Sequence, residues 1–317
     1  MKEQNREIDF SKNDIFAQQN KDRTELKHTS MSTAFMCLVM LAINLVFSIV
    51  AVTVIKPLGN NLFTLVSIGI ITLCSVLLPT VIGSHFFGGI KPLVSSRHKE
   101  KRNIVDNILM IIFGFCACVA VNYITGLLSA IFPFLSGKNS AVAYGDDVLS
   151  FCLTVVVLAV VPAICEEVAF RGVIMGIFRK YGDRFAIIVS ALLFGMMHSS
   201  FMTMVFAFCS GMIFGLIRKN SDSLVPSIIV HFLNNLLSVI MAYLDSESSV
   251  VFYYIVIFVS AVMLLLSVVL IYRRNNGLFS LGGSNCSLSE KDMFRTAFLG
   301  CPSMLAFIVI SGVIMFL

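Results

Sequence analysis

From about residue 31 onward the chain alternates between long apolar runs and short polar clusters. A helix needs about 20 mostly apolar residues to cross a bilayer, and several runs reach that length. No sustained alternation of apolar and polar positions points to a membrane barrel. Helices satisfy their own backbone hydrogen bonds in lipid, so the runs are predicted to be helical spans. Nine are expected, over 31–55, 63–83, 104–126, 149–171, 185–200, 202–217, 224–244, 249–271 and 296–316. The fifth and sixth share one uncharged run of 33 residues, read as two short helices or as a helix with a re-entrant segment. The apolar stretch from Leu127 to Leu135 is expected to lie in the interface. Residues 1–30 are polar and mixed in charge and read as a flexible cytosolic tail, not a targeting peptide, leaving 31–317 as the transmembrane domain.

Composition agrees. Of 317 residues, 57% are hydrophobic and 13% charged, against about 25% charged in soluble domains. Mean hydropathy is +0.91. The expected fold is therefore all-α, a polytopic transmembrane helical bundle of eight to nine spans, in an integral multi-pass protein of the cell membrane. The net charge of +5 does not imply nucleic acid, because the basic residues flank apolar runs. With the N-terminus in the cytosol, 20 of the 23 Lys and Arg fall on the cytosolic side. Lys56 and Lys138 fall opposite, beside Asp146, Asp147, Asp245 and Glu247, and Arg171 is left inside a span. Most of the nine cysteines sit in apolar runs as small hydrophobes, and Cys116 and Cys118 lack CxxC spacing.

Ionisable side chains inside spans are costly and mark function. Here they are few: Glu166, Glu167, Arg171, His198 and His231, joined by Asn234 and Asn235. Glu166 lies 14 residues before Lys180, and His198 lies 14 after Arg184. As continuous helices, these place each group ~21 Å from its cytosolic anchor. If 172–181 instead lay flat in the interface, the site would be shallower. Glu167 and Arg171 are spaced i,i+4 in the favourable order and can pair, which leaves Glu166 free. Adjacent glutamates diverge on a helix, so the two are not expected to face one partner. Pro162 is expected to kink the helix before them. His231 and Asn235 share a helix face, with Asn234 pointing elsewhere. A carboxylate in an apolar site can act as a general base or acid, and an Asn amide can donate to a developing oxyanion. Two histidines and a glutamate (Glu166, His198 and His231) could also hold zinc.

At these positions the sequence resembles the CAAX-protease and bacteriocin-processing (CPBP) family, which includes the type II CAAX prenyl endopeptidases. The EExxxR motif appears at Glu166–Arg171, FxxxH at Phe194–His198, and a His with Asn four residues later at His231–Asn235. Together they span a core of about 150–240. The resemblance implies an intramembrane endopeptidase whose cavity opens to the cytosol. It maps Glu166 onto the water-activating glutamate, His198 and His231 onto the active-site histidines, and Asn235 onto the polarising amide. Glu167 and Arg171 become supporting residues. Family members are described both as metalloproteases and as glutamate-dependent enzymes, so a zinc cofactor stays open. The implied substrate is a membrane-associated peptide or protein. Two other classes can be set beside the protease: a catalytically silent scaffold on the same fold, and a transporter, for which internal repeats would be expected.

Overall fold

The computed structural model describes residues 12–51, 53, 61–94, 103–135, 147–244, 246–274 and 286–316. Among these the fold is all-helical, with no strand. In chain order the helices are α1 (Lys12–Val50), α2 (Leu62–Phe87), α3 (Ile104–Ile131), α4 (Val148–Tyr181), α5 (Asp183–Met196), α6 (Phe201–Ser221), α7 (Val225–Tyr243), α8 (Ser246–Arg274), α9 (Glu290–Leu299) and α10 (Pro302–Phe316). A short helix, Ile90–Val94, follows α2. Seven helices among the described residues are long and apolar enough to cross a membrane. They are eight if α9 and α10, bent by 72°, count as one span.

The difference from nine lies at 185–200. That run forms α5, which has only 14 residues. At 1.5 Å per residue it extends ~21 Å, short of a hydrocarbon core about 30 Å thick. The chain then turns through 197–200 and returns as α6. The turn is fixed by a capping box, in which Ser200 Oγ accepts from the Thr203 N–H and Thr203 Oγ1 accepts from the Ser200 N–H. Non-helical backbone at such depth is tolerated where protein or a cavity surrounds it.

The expected tail is corrected as well. Residues 12–30 are the first turns of α1, and Leu26, Thr29 and Ser30 are buried. Residues 1–11 lie outside the described residues, as do the loop positions Lys56, Lys138, Asp146 and Asp245 used in the charge count. The stretch after Leu127 continues α3 to Ile131 before a 3-10 turn at Pro133–Leu135. Continuity of α4 as one 34-residue helix excludes a separate interfacial helix over 172–181.

Close packing around α6 builds the core. It contacts α3, α5 and α7. Gly211 and Gly215 lie one turn apart on the face toward α5. A Cβ on Gly211 would stand 3.1 Å from the Ala191 Cα, and one on Gly215 would stand 2.9 Å from Ile187 Cγ2. This small-xxx-small face lets two helices approach without side chains between them. Gly114 does the same for α3, where a side chain would run into Ile217 of α6 and Val230 of α7. At one end of this unit Asp222, in the left-handed region at φ 50°, lies 3.7 Å from Arg179 and 3.5 Å from Arg218. It ties the end of α4 to the end of α6.

Candidate active site

Proline shapes the helix that carries the glutamates. Pro162 has no N–H, and its ring crowds the carbonyl four residues earlier. The preceding residues Val156–Val160 widen into a π-turn, with the Val161 N–H reaching the Val156 carbonyl. The expected kink is thus taken up as a change of helical pitch. A second π stretch, Glu167–Ile174, follows after the α-helical residues Val161–Glu166, and such bulges are frequent at functional sites. Ser190 of α5 donates to the Phe170 carbonyl there at 2.7 Å.

Within the π stretch Glu167 and Arg171 form the pair expected from their spacing. Arg171 Nη1 lies 2.9 Å from Glu167 Oε1, and both side chains are fully buried. The guanidinium lies over two rings, 4.3 Å from the centre of Phe194 and 5.0 Å from that of Phe214. Cation–π attraction strengthens when the charge is desolvated. Gly211 leaves space for it, since a Cβ would stand 2.9 Å from Arg171 Nη2. Arg171 Nε and Nη2 and Glu167 Oε2 have no hydrogen-bond partner among the described residues. Glu166, the neighbouring carboxylate, keeps 22% of its side chain exposed. One glutamate is therefore sealed and ion-paired, and the other is partly exposed.

His231 of α7 joins them. Its Nδ1 lies 3.3 Å from Glu167 Oε1, and its Nε2 lies 3.7 Å from Glu166 Oε2. The expectation that adjacent glutamates could not face one partner is overturned. They do diverge, but an imidazole has two ring nitrogens, and one meets each carboxylate. The ring stacks on Phe214, 5.0 Å between centroids.

His198 lies in the turn after α5, not on a helix as its span assignment implied. Its Nδ1 is 3.0 Å from the Phe194 carbonyl. A carbonyl only accepts, so Nδ1 carries the proton and a neutral ring keeps Nε2 as an acceptor. His198 is within electrostatic range of Glu166 and His231. Phe194 stands between the two histidines, its ring centre 5.1 Å from His198 and 6.0 Å from His231. Asn235 follows His231 by one turn and is half-buried. Its Oδ1 receives the Asn234 amide at 3.5 Å, which leaves its own amide hydrogens to donate. Asn234, expected to point elsewhere, is the more buried of the two.

Zinc finds no prepared site. Among the described residues no three His, Cys, Asp or Glu side chains stand together as metal ligands would. Each candidate histidine has Nδ1 held, His231 by Glu167 and His198 by the Phe194 carbonyl, so a metal would have to draw their Nε2 atoms and Glu166 together.

The family model described as type II CAAX prenyl endopeptidase Rce1-like matches residues 148–237, the segment holding every side chain just described. The matched segment is similar to a CPBP-family domain. The Bacillus subtilis (strain 168) protein named "Putative membrane peptidase YdiL" is 26% identical over 167 residues, covering 50% of this chain and 68% of the relative. No solved structure matches. Helices α4 to α7 hold the matched segment, while α1, α2, α3, α8, α9 and α10 lie outside it. Sequence reasoning passed over two parts of that segment. Phe214 supplies the ring under both Arg171 and His231, and Gly211 supplies the space. Their signal was present as Gly211-Met-Ile-Phe-Gly215, a small-xxx-small segment with an aromatic inside it.

Proposed function

We propose that this integral membrane protein is an intramembrane endopeptidase that hydrolyses a peptide bond of a membrane-associated protein or peptide. One observation carries the reading. Glu166 is a partly exposed carboxylate beside an imidazole, while the glutamate next to it is buried and neutralised by Arg171. A carboxylate so placed can take a proton from water as that water attacks a carbonyl carbon. His198 accepts the second hydrogen of the water at Nε2 and orients it. His231 is fixed through Nδ1 by Glu167, which leaves its Nε2 facing Glu166. Asn235 donates to the oxygen that becomes negative. Glu166 then returns its proton to the leaving amine, which completes hydrolysis without a metal.

The polar ends of α5 and α6 support a cavity entered from the side carrying Arg179 and Arg218, which the charge distribution makes cytosolic. The cell membrane is the proposed location. The test is comparative peptidomics of membranes carrying wild type or Glu166→Gln. Peptides released only by wild type support the protease. Identical peptide sets, with both proteins folded, would leave the scaffold reading in its place.

A further inference from the structure

Away from the matched segment, α1 meets the bent pair α9–α10. Two cavities lie end to end along this seam. The first, about 520 Å³, is lined by Arg23 and Lys27 of α1 and by Asp292 and Arg295 of α9. The second, about 400 Å³, is apolar and runs between α1 and α2, with Phe35 and Val39 on one wall, Ile82 and Phe86 on the other, and Ser303 of α10 at its edge. The two are consecutive. Lys27 lines the first, and Met31, one turn later on α1, lines the second. Two contacts tie the helices between them, from Cys301 Sγ to the Lys27 carbonyl and from Ser303 Oγ to the Met31 carbonyl.

The polar cavity carries an excess of positive charge, three basic side chains against Asp292. Arg23, Lys27 and Arg295 have no ion-pair partner among the described residues. Nearby acids are engaged elsewhere: Asp22 accepts from the N–H and hydroxyl of Ser287, Glu25 pairs with Lys180, and Glu290 pairs with Arg184. The one acid in the cavity, Asp292, accepts from Ser289 Oγ at 2.6 Å. Basic residues that merely flank a span reach into headgroups one helix at a time. Here three converge from two helices more than 260 positions apart in sequence, at the polar end of an apolar groove. Phe35, Ile82 and Phe86 stay exposed along that groove.

A pocket rich in positive charge one helical turn from an apolar groove matches one kind of molecule, an anion attached to a hydrocarbon chain. Basic pockets between transmembrane helices hold anionic headgroups. We propose that this seam binds an anionic glycerophospholipid, with its phosphate at Arg23, Lys27 and Arg295 and one acyl chain in the groove between α1 and α2. The lipid fastens α1 to α9–α10 outside the catalytic core.

The full-length protein is placed in nanodiscs of phosphatidylcholine with a minor fraction of phosphatidylglycerol, and co-purifying lipid is counted by native mass spectrometry. Wild type should retain phosphatidylglycerol over phosphatidylcholine. The triple variant R23Q/K27Q/R295Q should retain it about a hundredfold less, since each basic residue near the surface contributes roughly fivefold. These side chains are exposed, so thermal unfolding should show a folded protein. Val39→Trp, which fills the groove and leaves the charges, should also lose the lipid. Inorganic phosphate should not displace it. Equal retention of both lipids by wild type, unchanged retention in the triple variant, or displacement by inorganic phosphate would each overturn the proposal.

Discussion

Nδ1 of His231 lies 3.3 Å from Oε1 of Glu167, the same oxygen that holds Arg171 at 2.9 Å. Helices α4 and α7 are thereby joined through one carboxylate oxygen, and the imidazole is left with Nε2 turned toward Glu166. Glu167 thus positions the histidine, and Glu166 stays partly exposed beside it.

The two glutamates should respond in opposite ways to the same substitution. Glu166→Gln keeps shape and removes basicity, so cleavage should fall by about 10²–10⁴-fold with little change in thermal unfolding. Glu167→Gln leaves Arg171 charged and unpaired in the core, which typically costs about 3–5 kcal/mol. It should lower the melting temperature and the yield of folded protein. The double variant Glu167→Gln, Arg171→Met removes both charges and should recover much of the stability but not the activity. A Glu166→Gln protein with wild-type cleavage would move the base to Glu167.

Phe194 touches Arg171 on one side and the two histidines on others. Phe194→Leu keeps apolar volume and removes the ring that aligns all three. Activity should fall by at least tenfold while substrate binding is largely kept, so the loss should appear in kcat. Kinetics in proteoliposomes measure this, and a change confined to KM would mean that Phe194 contacts substrate instead.

Much of this site was legible because lipid makes ionisable groups conspicuous. Glu166, Glu167, Arg171, His198 and His231 stand out in apolar runs, and the i,i+4 spacing of Glu167 and Arg171 gave their pairing directly. The shared partner of the two glutamates was not legible, because a helical wheel treats His231 as a point when it carries two nitrogens. The span count went too high because hydropathy sees an uncharged run from 185 to 217 and cannot see the capped turn at Ser200 inside it. That turn takes His198 off the helix. The helical state of residues 12–30 escaped because their charges read as solvated tail. Their packing, such as Thr29 against Tyr181 at 3.2 Å, is long-range and leaves no local pattern.

Helix approach at Gly211 should be less forgiving than at Gly215. A Cβ on Gly211 meets the Ala191 backbone and the buried guanidinium of Arg171, whereas on Gly215 it meets only the movable side chain of Ile187. Overpacking of this kind costs about 1–3 kcal/mol. Gly211→Ala should therefore lower both melting temperature and activity, and Gly215→Ala should have the smaller effect on each. Equal effects at the two positions would argue against a special role for the space around Arg171.

Removal of metal gives the clearest division between the two chemistries open to two histidines and a glutamate. Zinc needs three side chains turned inward with free donor atoms. Here His231 Nδ1 is turned to Glu167, its Nε2 to Glu166, and His198 Nδ1 to the Phe194 carbonyl. A site would need Glu166 and the Nε2 atoms of both histidines drawn together, and among the described residues no such group of three stands together. Purified protein treated with a strong chelator should therefore keep full cleavage activity, and elemental analysis should find well under one metal per chain. His198→Ala should lose about 10²-fold or more in rate with no change in metal content. It should also unfold at nearly the wild-type temperature, because the side chain sits in a turn and not within a packed helix. Activity that vanishes with chelator, returns with added zinc, and tracks metal lost in His198→Ala would show instead that the site reorganises around a metal.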